Sequence, residues 1–138
     1  MTKEEILEFA ERNPVFSLAT MDGEKPRVRL IMLAMVEDGE LIFTTGRDKD
    51  VSRQMTANPA VELCFYSADE GRQVRIEGTA EEAKDNDLKK RIVVKFEFLK
   101  PWIDAEGLDV LNTYRVKNAK ATTWTMETNF QPKQYVEL

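Results

Sequence analysis

The 138-residue chain contains no histidine and one cysteine, Cys64. Without an imidazole there can be no Ser-His-Asp or Cys-His catalytic unit, because both need that ring to carry the proton. The commonest transition-metal ligand is also missing, and carboxylates with one thiolate make a poor zinc site. No metal site is expected. A lone cysteine cannot close an intramolecular disulfide, and its position in an apolar run suggests a small buried hydrophobe in a reducing, cytoplasmic compartment. No apolar run is long enough to span a bilayer, and the N-terminus lacks the apolar segment of a signal peptide. Positive charge is not in excess, since 20 Lys and Arg face 25 Asp and Glu for a net charge of −5. A general nucleic-acid binder would need a basic face to release counterions, so that class is disfavoured. Any redox or group-transfer chemistry must then come from an organic cofactor.

What is present has the composition of a globular protein, with 42% hydrophobic and 33% charged residues, and the length suits a single domain over residues 1–138. Thr2-Lys3-Glu4-Glu5 matches a capping box for a first helix that Asn13-Pro14 closes. Val15–Thr20 reads as a strand, and Met21-Asp22-Gly23-Glu24 as a hairpin turn. Pro26–Val36 reads as a long second strand whose later half, Leu30–Val36, is apolar on both faces. Such a strand is expected to be covered on both sides, by a closed barrel or by a subunit contact. Glu37-Asp38-Gly39 makes the next turn.

Leu41–Phe65 is the most informative stretch. It reads as a strand ending in Thr44, Thr45 and Gly46, then a helix over about Lys49–Thr56 capped by Asp48, then a strand with Val61, Leu63 and Phe65 on its inner face. A strand end with two hydroxyls, a glycine and a lysine in the first helical turn can cradle a phosphate. An ordinary strand-to-helix turn explains the same residues, and Asp48 and Asp50 would repel an anion unless turned away.

Gln73–Glu81 alternates as a fifth strand, and Gly78 within it predicts a bulge or the close approach of another backbone. Ala83–Leu99 reads as one helix ended by Pro101, Glu106–Asn112 as a short helical turn, Ala121–Thr128 as a strand, and Gln134–Leu138 as a last one. Hairpin-linked antiparallel strands with a few helices predict a mainly β fold, a small antiparallel barrel with peripheral helices.

Arg72-Gln73-Val74-Arg75-Ile76-Glu77-Gly78 resembles the RQVRVEG segment of the pyridoxamine 5'-phosphate oxidases, which are FMN-binding split-barrel dimers. With LIFTTG, ANPAVELCF and Pro26-x-x-Arg29, the similarity runs from about Val15 to Glu81 and resembles the short branch of that family more than the oxidases themselves. The resemblance implies a homodimer with FMN between subunits. It implies that Arg29 and Leu30 run along the flavin, that Thr44 and Thr45 meet the ribityl-phosphate, and that Gln73 reaches FMN at the subunit boundary. The count from Thr44 to Gln73 needs no gap.

The departures are specific. The family's phosphate lysine falls on Val51, which leaves Lys49 or Arg53 as substitutes, with Lys49 the better placed. A second family lysine falls near Ala34, and the C-terminal Trp/Arg/His signature has no counterpart. The resemblance therefore implies a retained flavin site, a lost vitamin B6 site and no histidine-ligated haem. The function expected is an FMN-dependent oxidoreductase of flavin reductase or NAD(P)H-linked type acting on a small molecule. Alternatives are a reductase using the deazaflavin F420, a non-catalytic flavin carrier or stress-related protein, and a protein-interaction module.

Overall fold

Two-residue turns dictate the first half of the chain. In the computed structural model, which describes all 138 residues, Thr2 caps α1 (Lys3–Arg12) through the predicted reciprocal bonds with Glu5. β1 (Val15–Asp22) and β2 (Lys25–Glu37) are joined across Gly23-Glu24, and β2 and β3 (Glu40–Gly46) across Asp38-Gly39. Asp38 and Gly39 both take positive φ, 53° and 76°, the geometry that suits a tight hairpin to the twist of its strands. After α2 (Asp50–Ala57), β4 (Ala60–Ser67) and β5 (Arg72–Ala83) form another hairpin. Next come α3 (Asn86–Lys95), a 3₁₀ turn at Glu97–Leu99, α4 (Lys100–Glu106), a second 3₁₀ turn at Leu108–Val110, β6 (Leu111–Thr125) and the short β7 (Val136–Glu137).

The antiparallel strands run in the order β3-β2-β1-β4-β5-β6-β7, and β3 also pairs with β6. That pairing closes six strands into a barrel and leaves β7 as a flap on the later half of β6. Phe16, Phe43 and Phe65 fill the barrel, with Phe16 4.9 Å from Phe65 and 5.8 Å edge-on from Phe43, while Phe43 stacks on Tyr114 at 5.5 Å. A smaller core of Ala34, Ile42, Leu88, Ile92 and Leu111 lies outside the barrel under α3. No helix is long and apolar enough to cross a membrane.

Several expectations need correction. The region from Ala83 to Leu99 is not one helix: β5 runs on to Ala83, α3 ends at Lys95, and Pro101 begins α4 instead of ending its predecessor. Proline lacks an N–H to donate, which makes it as fit for a first turn as for a stop. β6 begins ten residues before the expected strand, because its polar first half, Asn112–Lys117, gains its order from pairing with β3 and β5. Asp48 does not cap α2; Lys49 holds the cap position without a side-chain bond. The doubly apolar run splits in use. Leu33 enters the barrel and Ala34 the α3 core, with a bulge between Leu33 and Met35, whereas Leu30 stays 69% exposed and Met32 lies on the same outer face. Cys64 is half-buried on that face, not fully inside, and burial pushes its thiol pKa up, which keeps it protonated.

Gly78 meets both halves of its expectation. The β5–β6 register shifts between Glu77 and Thr79, and a Cβ at Gly78 would stand 2.8 Å from the Lys117 carbonyl oxygen. Gly78→Ala should therefore destabilise the protein by about 1–3 kcal/mol in urea unfolding, the usual cost of overpacking against groups that cannot move. Glu37 accepts bonds from Arg91 of α3 at 2.5 Å and Arg115 of β6 at 3.1 Å, which hold its carboxyl pKa down at about 2. A depressed carboxylate contributes stability that is complete above its unfolded pKa and lost as pH falls toward the folded value. Thermal melts should show this loss between about pH 4.5 and pH 2, and Glu37→Gln should flatten that part of the profile.

Candidate functional site

The closure of β3 on β6 shapes the cradle. Thr44 and Thr45 sit opposite Thr113 and Asn112, and Thr44 Oγ1 donates to the Asn112 carbonyl at 2.7 Å. The chain then turns at Gly46, where Lys49 N–H returns to the Gly46 carbonyl and Ser52 Oγ donates to the same oxygen at 2.8 Å. A Cβ on Gly46 would lie 3.3 Å from Lys49 Cγ and 3.4 Å from Trp102 Cη2, so glycine lets both side chains close over the turn.

The result is an amphiphilic depression of about 230 Å³. Thr44, Thr45, Gly46 and Lys49 line its polar end. Leu30, Ile31, Met32 and Leu111 line its apolar floor, and Phe96, Phe98, Leu99 and Trp102 project over it from the α3–α4 connection. No carboxylate lines it. Asp48 and Asp50, the two groups that could repel an anion, are more than four-fifths exposed, and Asp48 pairs with Arg47 at 3.5 Å and Asp50 with Arg53 at 3.4 Å. Arg53 also meets Asp22 at 3.6 Å, whereas Lys49 makes no ion pair. Of the two substitutes for the family's lysine, Lys49 is the one with a free charge at the cradle.

Arg29 points elsewhere. Successive strand residues alternate in direction, so Leu30 faces outward while Arg29 turns under α2. There the Arg29 guanidinium donates to Leu18 O at 3.1 Å, Thr20 Oγ1 at 2.7 Å and Gln54 Oε1 at 2.7 Å. Thr20 and Gln54 are almost fully buried, and Thr20 Oγ1 donates to Gln54 Oε1 at 2.6 Å. Burial lowers the Arg29 pKa, with Asp50 acting in the opposite direction. The residue ties β1 to α2, and with Lys49 it lines a separate, more open depression of about 660 Å³.

Gln73 stands outside the cradle in the same chain. It pairs with Trp124 of β6 on one side and with Tyr66 of β4 on the other, and from there β1 and β2 lead to Met32 of the cradle, three strands or about 14 Å away at ~4.8 Å per strand. Gln73 lines its own cavity near the C-terminal segment. The structure thus brings Leu30, Thr44, Thr45 and Lys49 together, sets Arg29 beside them, and keeps Gln73 apart. Sequence reasoning missed the aromatic wall of Phe96, Phe98 and Trp102. The signal lay in FEFLKPW, a cluster of aromatics that overlaps and runs past the end of the helix expected over Ala83–Leu99.

The comparisons agree with this architecture. The family model described as pyridoxamine 5'-phosphate oxidase matches residues 2–125. A pyridoxine/pyridoxamine 5'-phosphate oxidase of Deinococcus deserti is 39% identical over 72 residues, covering 51% of this chain and 34% of that protein. That of Chromobacterium violaceum is 44% identical over 59 residues, covering 43% and 27%. The matches thus span about a third of the relatives' length. Among solved structures, a NimC/NimA family protein from Clostridium acetobutylicum superposes with a TM-score of 0.83 at 22% identity, covering 99% of this chain and 93% of that one. General stress protein 26 from Bacillus anthracis gives 0.73 at 20% identity, covering 99% and 98%. A heme binding protein from Mycobacterium smegmatis gives 0.73 at 15%, covering 98% and 57%. At these identities the structures share the fold alone. With its RQVRIEG strand, its LIFTTG turn and its closed six-stranded barrel, the chain belongs to the pyridoxamine 5'-phosphate oxidase family.

Proposed function

We propose that this protein binds FMN and acts as an FMN-dependent oxidoreductase of flavin reductase or NAD(P)H-linked type on a small molecule. The observation that carries the reading is the free Lys49 ammonium beside Thr44, Thr45 and Gly46, set against an aromatic wall. Hydroxyls, a turn and a cation suit the ribityl-phosphate, and apolar and aromatic side chains suit the ring. When bound, the isoalloxazine supplies the electron chemistry. The chain's own residues bind and orient it: Lys49 meets the phosphate, Leu30 and Trp102 exclude water, and Arg29 holds α2 in place behind the cradle.

The flavin is shared between two copies in this reading. The depression is smaller than the ~300 Å³ at which pockets begin to enclose a ligand alone, so a second surface has to complete it. Val28, Leu30 and Met32 form an exposed apolar stripe on β2, and Val15 and Tyr66 continue it across β1 and β4. A two-fold pairing on this face would cover the stripe and bring a partner's glutamine to the cradle, which the same chain's Gln73 does not reach. F420 is the weaker cofactor reading, because its longer acidic tail would want a more basic groove than this acidic chain offers. A carrier or stress-related role without turnover is favoured only by the likeness to general stress protein 26.

Purified protein titrated with FMN should show flavin absorbance near one per subunit; a protein that binds neither FMN nor F420 would overturn the reading. Lys49→Ala should weaken FMN by about 1.5–3 kcal/mol, the scale of a hydrogen bond to a charged group, and leave riboflavin nearly unchanged. Arg53→Ala should do little to either. Light scattering should give a dimer, and Leu30→Asp should yield a folded monomer that has lost most of its FMN affinity.

A further inference from the structure

A cavity of about 500 Å³ opens where β5 and β6 meet the C-terminal segment, and no expectation from the sequence foresaw it. We infer that it is a substrate site for a small planar anion, an aromatic carboxylate in the simplest case, whose charge meets Arg75 and Lys133 and whose ring lies on the Trp124 indole. Calling the occupant a substrate rests on the flavin reading, through Gln73, which lines the same cavity.

Charge is the first argument. The chain carries more acidic than basic residues, yet the cavity lining holds two cations and no carboxylate. Arg75 has one ion-pair partner, Glu62 at 3.8 Å, which lies outside the lining, and Lys133 has none. An anion entering here finds Lys133 without a partner and Arg75 only loosely paired, in a chain whose net charge is negative.

Preorganisation is the second. Trp124 Nε1 donates to Asn129 Oδ1 at 2.8 Å, which fixes the ring against the wall. The turn beneath it is held by Thr125 and Thr128, each backbone N–H donating to the other's hydroxyl at 3.2 and 3.3 Å. The wall is therefore ordered by polar bonds before any ligand arrives, and little freedom remains to be lost on binding. Amides of Gln73, Gln131 and Gln134 offer both donors and acceptors around the indole. The volume falls within the usual range for sites that take a small molecule.

Benzoate and benzamide have the same ring and differ in charge, so they test the inference on the full-length protein. The indole N–H resonance of Trp124 is identified by its loss in Trp124→Phe, with the Trp102 resonance as internal control. In flavin-free protein benzoate should shift the Trp124 signal saturably, and benzamide should bind about tenfold or more weakly, as expected when a charge-assisted bond is lost. The Arg75→Gln/Lys133→Gln double variant should bring benzoate down to the benzamide level with its unfolding midpoint and Trp102 signal unchanged. Equal affinities for the two probes, no saturable shift by benzoate, or full benzoate affinity in the double variant would overturn the site. In FMN-loaded protein, benzoate should perturb the flavin's visible absorption. A bound flavin that does not respond would overturn the substrate role and leave the flavin reading standing. Failure to take up FMN while benzoate still binds would overturn both the flavin reading and the substrate role, with the anion site intact.

Discussion

The pairing of β3 with β6 is the interaction on which the other features depend. It joins residues such as Phe43 and Tyr114 that are far apart in the chain, so loop-closure entropy opposes it until the barrel contacts form together. Stacking of Phe43 on Tyr114 and the bond from Thr44 to Asn112 anchor it. Once made, it closes the barrel and gives β3 two buried faces, Leu41 and Phe43 inside and Ile42 under α3. It also places Thr44, Thr45 and Gly46 where the α3–α4 connection can bring Trp102 over them.

Charges are sorted by the same geometry. Glu37 and Glu40, on either side of a hairpin turn, collect Arg91, Arg115 and Lys117 into one network that fastens α3 and β6 to the barrel end. Arg29 meets neutral partners behind α2. Arg53 is neutralised by Asp22 and Asp50. Against this background Lys49 and Lys133 stand out, since each faces a cavity without a partner. In an acidic protein such local imbalance, and not net charge, tells where an anion can be held. The two cavities share no lining residue.

Legibility followed the range of the interactions. The capping box at Thr2, the Asp38-Gly39 turn, the alternation in Val61–Phe65 and the bulge at Gly78 are set by neighbours within a few residues or by the period of a strand, so they could be read directly. The first half of β6 could not. Its sequence, LNTYRVKNAK, is polar at alternate positions and rich in charge, and it becomes a strand because β3 and β5 supply hydrogen bonds on both sides. The α3–α4 region failed for the opposite reason: apolar spacing fits one long helix, and only packing on Ala34 and Ile42 settles where it breaks.

The sequence by itself determined the class of fold and the family, and it named four residues that line one depression, because turn chemistry, strand alternation and the RQVRIEG and LIFTTG motifs are written locally. Only the tertiary structure decided that Arg29 braces α2, that Lys49 and not Arg53 keeps a free charge, and that Gln73 lines a different cavity from Thr45. Each of those depends on which distant side chain arrives beside it, and a strand's local pattern carries no information about its neighbours across the barrel.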